Sequence, residues 1–307
     1  MRLARCVVIV GIAAGMVFSA TATGWADPQT DQHWASVRHE IRAMHWSAGA
    51  HPLDASHGTF APPGGAIMVE DSEARRFSEL VNGESSPNTE AIVRLRNRDI
   101  LYLDYIDSGF VTVDDWKDIK PADMIKSISD ATENSNKARA DNGVPAVHVV
   151  GWIEEPVLDP VTKTVRWIVR FRGDGQAQTF SNAIALHLGR RGYERFTLAS
   201  DDQNPRTLTA SLNGLSGDYQ FTRGFRFQDY VAGDKLAGYG IAALVGTVAG
   251  AAIAKTIGWG VVLLMIKKFF VLIVAGGAAG FRWLRGFFKR RASIWQPTKP
   301  DDEAPRP

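Results

Sequence analysis

The alternation of apolar and polar residues divides the chain into three parts. Residues 27–235 contain short periodic runs of apolar residues separated by polar ones, which is the pattern of a globular domain. Residues 6–19 and 236–285 are instead almost continuously apolar. This arrangement predicts one folded domain with a hydrophobic segment before it and another after it.

Apolar residues three or four positions apart predict four helices in the globular part. These helices cover about 33–46, 72–82, 121–141 and 206–215. Asp71 is suited to cap the second helix and Gly83 to end it, whereas Pro121 begins the third and Asn142-Gly143 ends it. Irregular chain is expected between Pro52 and Pro63, where three prolines fall.

Runs of β-branched and aromatic residues predict seven strands. These strands cover about 66–70, 91–96, 100–106, 147–154, 165–172, 178–188 and 193–198. Val165, Trp167, Val169 and Phe171 alternate with Arg166, Ile168, Arg170 and Arg172, so one side of that strand should be buried and the other solvated. Consecutive hairpins predict the α+β class, with an antiparallel β-meander and helices on one face of the sheet, followed by a C-terminal transmembrane helical segment.

The first 26 residues have the organisation of a secretory signal peptide. Arg2 and Arg5 precede the apolar run, and small residues before position 27 predict cleavage after Ala26. An uncleaved N-terminal anchor is the alternative. Cleavage removes Cys6, the one cysteine of the chain, so the mature protein would have no disulfide, thiolate metal ligand or cysteine nucleophile.

The C-terminal apolar segment predicts a membrane anchor. Leu236–Ala254 is nineteen residues without a charge, about enough for a helix to cross ~30 Å of hydrocarbon. Gly246 and Gly250 have the spacing that lets two membrane helices approach closely, so the chain could associate with itself or with other envelope proteins there. Chance is an equally good explanation in a stretch so rich in glycine and alanine.

Charge supports an orientation for this anchor. Residues 27–235 carry 23 Lys/Arg and 30 Asp/Glu, which is 23 − 30 = −7, whereas residues 236–295 carry 8 Lys/Arg and no Asp/Glu, which is +8. Basic residues favour the cytoplasmic side of a membrane, so the acidic domain is expected in the periplasm of a bacterium and the basic end in the cytoplasm. Lys267 and Lys268 interrupt a second apolar stretch, which leaves the number of crossings open.

These observations predict a domain organisation and a location at the bacterial inner membrane. The predicted parts are a signal peptide over 1–26, a periplasmic α+β domain over 27–235, a membrane anchor over 236–285, and a basic, then disordered, tail over 286–307. A buried helical hairpin in a soluble protein is the alternative for the apolar segment, although that segment lacks the polar side that a surface helix shows.

Several segments together resemble the family known as domain of unknown function 2167, a group of bacterial membrane-anchored proteins. The segments are Asp107–Val111 with Asp114–Trp116, Pro121–Ser127, His148–Trp152 with Thr164–Trp167, and Tyr230–Gly240. The resemblance covers about residues 60–285, with Phe110 where the family usually has tyrosine. It implies an export signal, an ectodomain and a membrane anchor, and it implies no activity.

Candidate metal ligands are weak in this sequence. His33, His39, His45, His51 and His57 recur every six residues, but that spacing rotates successive helical side chains by about 240°. Ligands must converge on one ion, so we expect no metal site and no cofactor.

Candidate catalytic groups are also weak. Carboxylate pairs occur at Asp104/Asp107, Asp114-Asp115 and Glu154-Glu155, and His148 is expected on a central strand, where a core role is the default. None of these has an identifiable third group, so the catalytic residues stay unknown.

Two further groups of side chains are candidate binding surfaces. Arg166, Arg170 and Arg172 are expected to form a solvated strand face rather than an anion site. Trp152 and Trp167 are expected to pair across strands in the core, with a carbohydrate-binding platform as the alternative.

The predicted function is that of a membrane-anchored envelope protein that serves as a non-enzymatic interaction or scaffold module. The predicted partners are inner-membrane lipid and envelope proteins, and a nucleic acid is not expected because the domain is acidic. The alternative is an envelope hydrolase that acts on cell-wall or lipid material through Asp104, Asp107 or His148.

Overall fold

A computed structural model describes residues 28–246 of the chain. The predicted signal peptide over 1–26, most of the predicted membrane anchor and the predicted tail lie outside these residues. Among residues 28–246, no helix combines the length and the apolar character needed to cross a bilayer.

The described chain folds into five α-helices and ten β-strands. The helices are α1 (Pro28–Ala43), α2 (Asp71–Asn82), α3 (Pro121–Asp141), α4 (Pro205–Gly217) and α5 (Ile241–Gly246). The strands are β1 (His51–Leu53), β2 (Gly58–Phe60), β3 (Ile67–Glu70), β4 (Thr89–Arg94), β5 (Ile100–Ile106), β6 (Val147–Asp159), β7 (Thr164–Gly173), β8 (Thr179–Leu188), β9 (Tyr193–Ser200) and β10 (Tyr219–Phe221).

Seven strands form one antiparallel sheet, in the order β3-β4-β5-β9-β8-β7-β6. The order contains two meanders, β3-β4-β5 and β6-β7-β8-β9, which join where β5 pairs with β9 from Ile100↔Ala199 to Ile106↔Tyr193. The predicted α+β class with an antiparallel sheet is therefore confirmed. The sheet consists of two meanders rather than one, because β9, the last strand of the second meander, pairs with β5, the last strand of the first.

Both faces of this sheet are covered, and the expectation of helices on one face was wrong. Helix α4 and a small sheet, in the order β1-β2-β10, cover one side, which we call the α4 face. Helices α2, α3 and α5 cover the other side, which we call the α3 face. Ile168, expected on a solvated side, is fully buried on the α4 face, in the same apolar cluster as Leu208 and Leu212 of α4.

Two details of the first half also differ from the expectation. Pro52 lies in β1 rather than in irregular chain, which proline tolerates because β1 is the edge strand of the small sheet. Asp71 is the first residue of α2 rather than its cap, and Glu70 before it makes no side-chain capping hydrogen bond.

Gly83 ends α2 as predicted, in the left-handed conformation with φ of 78°. A side chain at this position would also meet the Arg139 backbone of α3, 3.0 Å from the site of a Cβ. Asn142 at the end of α3 donates to the Gly83 carbonyl at 2.8 Å. The end of α2 is thus fixed against the end of α3.

The covered α4 face leads to a stability prediction. We expect Ile168→Ala to lower the free energy of unfolding by about 2–4 kcal/mol, because it leaves a cavity between the sheet and α4. Arg172→Ala, on the same side of β7 but exposed, is the control and should change stability by about 0.5 kcal/mol or less. Urea unfolding measures both, and equal effects would contradict the assignment of Ile168 to the core.

Candidate functional site

Two segments that are far apart in the sequence meet at one end of the large sheet. Phe110 N donates to the Lys235 carbonyl at 2.8 Å, and Ala237 N donates to the Phe110 carbonyl at 2.9 Å. The Phe110 ring stacks on Tyr230, with 4.1 Å between ring centroids. We call the contact between residues 107–112 and 230–241 the C-terminal clamp.

Charged groups reinforce the clamp. Arg190, in the β8–β9 turn, donates to both carboxylate oxygens of Asp234 at 2.7 and 2.8 Å. The hydrogen bonds from Arg190 hold the pKa of Asp234 down at about 2, so this carboxyl stays ionised. Lys235 Nζ donates to the Asp107 carbonyl at 3.1 Å, and Arg191 pairs with the Asp107 carboxylate at 3.3 Å. A two-hydrogen-bond arginine–carboxylate pair fixes orientation as well as distance.

Gly109 makes the close approach possible. It has φ of 91°, and a Cβ on it would lie 2.8 Å from the backbone of Leu236. Any side chain here would push the two segments apart, and the backbone conformation itself disfavours one. The departure from the family's tyrosine is mild, because the aromatic ring of Phe110 still packs on Tyr230.

The clamp leads directly into α5, which packs into the core of the domain. Ile241 and Val245 are fully buried on the α3 face, and Leu244 is buried with them. Ile241 N also donates to the Thr112 carbonyl at 2.9 Å. The first residues of the apolar segment Leu236–Ala254 are therefore part of the folded domain, and the segment after Gly246 lies outside the described residues.

A second polar cluster lies in the centre of the α4 face. Glu194 of β9 is 0% exposed, and neither of its carboxylate oxygens accepts a hydrogen bond from a described residue. Burial raises its pKa well above the usual 4.5, and the neighbouring Glu90 carboxyl raises it further. Burial and the neighbouring carboxyl thus favour the protonated form of Glu194, which lies against Glu90.

A cavity of about 550 Å³ opens beside this cluster. It lies between β7, β8, the end of α4 and the loop after β10. Its lining includes Arg166, His187, Asn213, Tyr219, Arg226 and Phe227. His187 stands directly opposite Glu194 in the β8–β9 register. The sequence pattern gives no indication of a site at His187, Tyr219, Glu90 or Glu194, because only the pairing of distant strands brings them together.

The predicted carboxylate pairs do not form acid–base pairs. Asp104 is buried on the α3 face, where Arg195 donates to it at 2.8 Å and Thr89 at 2.6 Å, whereas Asp107 belongs to the clamp. Glu154 pairs with Arg166 at 3.4 Å, and Glu155 is exposed. Asp104 and Asp107 therefore have separate environments, as do Glu154 and Glu155.

The expectation that His148 lies on a central strand was wrong. It lies on β6, the edge strand, and is about half exposed between Glu133 at 2.8 Å and Asp174 at 3.1 Å. The hydrogen bond to Glu133 raises the pKa of His148 above its usual 6.5. Strand β9 pairs with β5 of the first meander in the middle of the sheet. The second meander therefore runs outward from β9 through β8 and β7, and β6 is its edge strand.

The remaining candidates are dispersed. Trp167 is fully buried and Trp152 packs against the same apolar cluster, as expected for core residues. Arg166 lines the cavity rather than a solvated face, and Arg170 donates to Gln203 at 2.8 Å. The five regularly spaced histidines lie on different elements, and among residues 28–246 no three potential ligands converge on a metal site.

Comparison with known proteins identifies one family and similar solved structures. A family model described as "Protein of unknown function (DUF2167)" matches residues 45–278. Cyanobacterial PsbP (CyanoP) from Synechocystis sp. PCC 6803 is 13% identical with a TM-score of 0.37, over 56% of this chain and 91% of that one. The Ran-binding protein Mog1p of Saccharomyces cerevisiae is 14% identical with a TM-score of 0.33, over 58% and 96%. No curated protein sequence matches the chain.

The clamp geometry predicts a specific role for Gly109. We expect Gly109→Ala to expose residues 230–246 to hydrogen exchange and to destabilise the domain by more than ~2 kcal/mol, since a Cβ meets backbone that cannot rotate away. Gly143→Ala is the matched control, because Gly143 also has positive φ but has open space around its Cβ position. It should cost about 1–2 kcal/mol without local opening of the clamp. Equal exchange in both variants would contradict the clamp.

The buried Glu194 predicts an unusual dependence of stability on pH. Its pKa is raised in the folded state, so its contribution to stability is complete below pH 4.5 and is lost as pH rises toward the folded pKa. We expect stability to fall in this range by at most about 1.4 kcal/mol per pH unit, and Glu194→Gln to remove that slope and stabilise the protein at pH 8. Urea unfolding at pH 5 and pH 8 measures this, with exposed Glu155→Gln as the control. An unchanged slope in Glu194→Gln would disprove the assignment.

Proposed function

The chain belongs to the DUF2167 family of proteins of unknown function, and for this member we propose the role of a membrane-anchored envelope protein whose domain is a non-enzymatic interaction or scaffold module. The domain faces the periplasm in this proposal, and residues from about 247 onward hold it to the inner membrane. The apolar segment, the charge asymmetry and the clamp support this proposal.

The C-terminal clamp is the observation that carries the proposal. Backbone hydrogen bonds, the Arg190–Asp234 pair and the burial of α5 attach the start of the apolar segment to the domain. Burial of each of the three large apolar residues of α5 contributes about 2 kcal/mol. A flexible linker would let a domain search the space around its anchor, but a clamp of this kind gives a domain a fixed position relative to the segment it holds.

A fixed domain suits a scaffold better than it suits a tethered enzyme. The candidate residues for a hydrolase do not form a catalytic site. Asp104 is paired with Arg195 on an inner strand, whereas His148 lies on the edge strand β6. We therefore keep the interaction module as the proposed function. Partners would reach the domain along the membrane surface, or a second copy would reach it through Gly246 and Gly250.

Cysteine labelling of the full chain tests the membrane topology. The natural sequence has one cysteine, so Cys6→Ser supplies a cysteine-free background. In intact spheroplasts, a membrane-impermeant maleimide should label Val161→Cys, because Val161 is 86% exposed on the domain. Ser293→Cys, after the basic cluster, should be labelled only after permeabilisation. Recovery of the whole protein in the detergent-free soluble fraction, or labelling of Ser293→Cys alone, would refute the proposed topology.

Substitution of the glycines tests lateral assembly. If helices pack through Gly246 and Gly250, Gly250→Leu should greatly reduce crosslinked dimers in membranes, because a large side chain prevents close approach. Ala252→Leu is the control, since two residues further along a helix point about 200° away. Equal dimer yields from both variants would exclude this surface as the site of assembly.

A further inference from the structure

The cavity beside Glu194 has the size and lining of a small-molecule site. Its volume of about 550 Å³ lies within the range of ligand pockets in proteins. Elements from distant parts of the sequence build it: β7 and β8 form its floor, α4 and β10 form a wall, and the loop that contains Arg226 and Phe227 forms its rim. Among the described residues, those of the clamp do not contribute to this lining.

His187 provides a polar group that lacks a partner. Its side chain lines the cavity and is only 9% exposed, and its Nδ1 lies 3.4 Å from the Thr164 hydroxyl. Nε2 is buried and has no hydrogen-bond partner among the described residues. Burial lowers the pKa of His187 to about 4, so the ring is neutral near pH 7 and can either donate or accept at Nε2. A buried group of this kind is stabilised when a ligand supplies the missing hydrogen bond.

The charges of the lining favour an acidic ligand. Arg226 donates through Nε to the Phe221 carbonyl at 3.3 Å, and no described carboxylate forms an ion pair with its guanidinium. Asp159 is the carboxylate of the lining, and it already accepts hydrogen bonds from Val161 N and Thr162 N within its own turn. The guanidinium of Arg226 is therefore available to pair with an external anion.

The neutral groups of the lining favour a ligand rich in hydroxyls. Asn213, Ser216, Gln220 and Gln228 offer both donors and acceptors, while Phe227 offers an aromatic surface. Sugar rings present hydroxyl groups at their edges and apolar C–H groups on their faces, so they match a mixed lining of this type. Purely apolar ligands would leave these amides and His187 without hydrogen bonds.

We propose that this cavity binds an acidic sugar, whose carboxylate pairs with Arg226 and whose hydroxyls bond to His187 and the amides of the lining. The site is independent of the proposed scaffold function. If the domain is a scaffold, this cavity would let it recognise sugars that carry a carboxylate. If the domain has no membrane anchor, the cavity could still bind the same ligand.

Calorimetric titration of the full chain tests the proposal, in a detergent that has no sugar headgroup. The probes are D-glucuronate and N-acetylmuramate, with D-glucose and N-acetylglucosamine as uncharged counterparts and inorganic phosphate as a bare anion. We expect at least one acidic sugar to bind about tenfold more tightly than its uncharged counterpart. Failure of both acidic sugars to bind, equal binding of charged and uncharged sugars, or binding of phosphate alone would overturn the proposal.

Variants locate the binding to this cavity. Arg226→Gln should weaken the acidic sugar about tenfold and leave uncharged sugars unaffected. Arg172→Gln is the matched control, because Arg172 is an exposed arginine of β7 outside the lining. Equal losses from both substitutions would overturn the assignment. His187→Phe should also weaken binding. Because His187 is buried, the melting temperature of this variant is measured first to show that it folds. Arg226 is exposed, so Arg226→Gln decides the question even if His187→Phe does not fold.

Discussion

The sheet of seven strands is covered on both faces, and this constraint determines where polar side chains can lie. A charged group on a central strand has no access to water, so it must be paired, protonated or placed against a cavity. The β5–β9 pairing shows the first two outcomes on opposite faces. Asp104 meets Arg195 on the α3 face, whereas Glu194 on the α4 face lies against the Glu90 carboxyl, and burial raises its pKa and favours its protonated form. His187, opposite Glu194, shows the third outcome because it borders the cavity.

The same constraint links the fold to the proposed function. Helix α5 completes the cover of the α3 face, so the domain needs the first residues of the apolar segment to bury its own core. The start of the apolar segment is thus a structural part of the domain, and it directly precedes the residues that we propose to enter the membrane. Folding of the domain and the position of its C-terminal end are coupled through the clamp, which gives the scaffold proposal its physical basis.

Most elements of the fold could be predicted from the sequence, because their patterns are local. The helix from Pro121 and the strand over Ile100–Ile106 have the predicted starts, since proline and a regular apolar period act within one element. The α+β class followed from the run of hairpins. The family resemblance was recognised from short segments, and the match over residues 45–278 confirms it. Two of those segments, 107–111 and 230–240, meet in the clamp, although nothing in the spacing of the sequence indicated that they touch.

The sequence alone therefore determined four helices and the seven strands of the large sheet, the charge asymmetry between the domain and its apolar segment, and the family. These depend on neighbouring residues or on composition. Only the tertiary structure decided that the second face of the sheet is covered, that His148 lies at an edge, that Glu90 lies against Glu194, and that His187 and Arg226 line one cavity. The reason is the long-range pairing of β5 with β9, which joins residues about ninety positions apart. A one-dimensional pattern shows which side of a strand a residue occupies but cannot show which distant element covers that side.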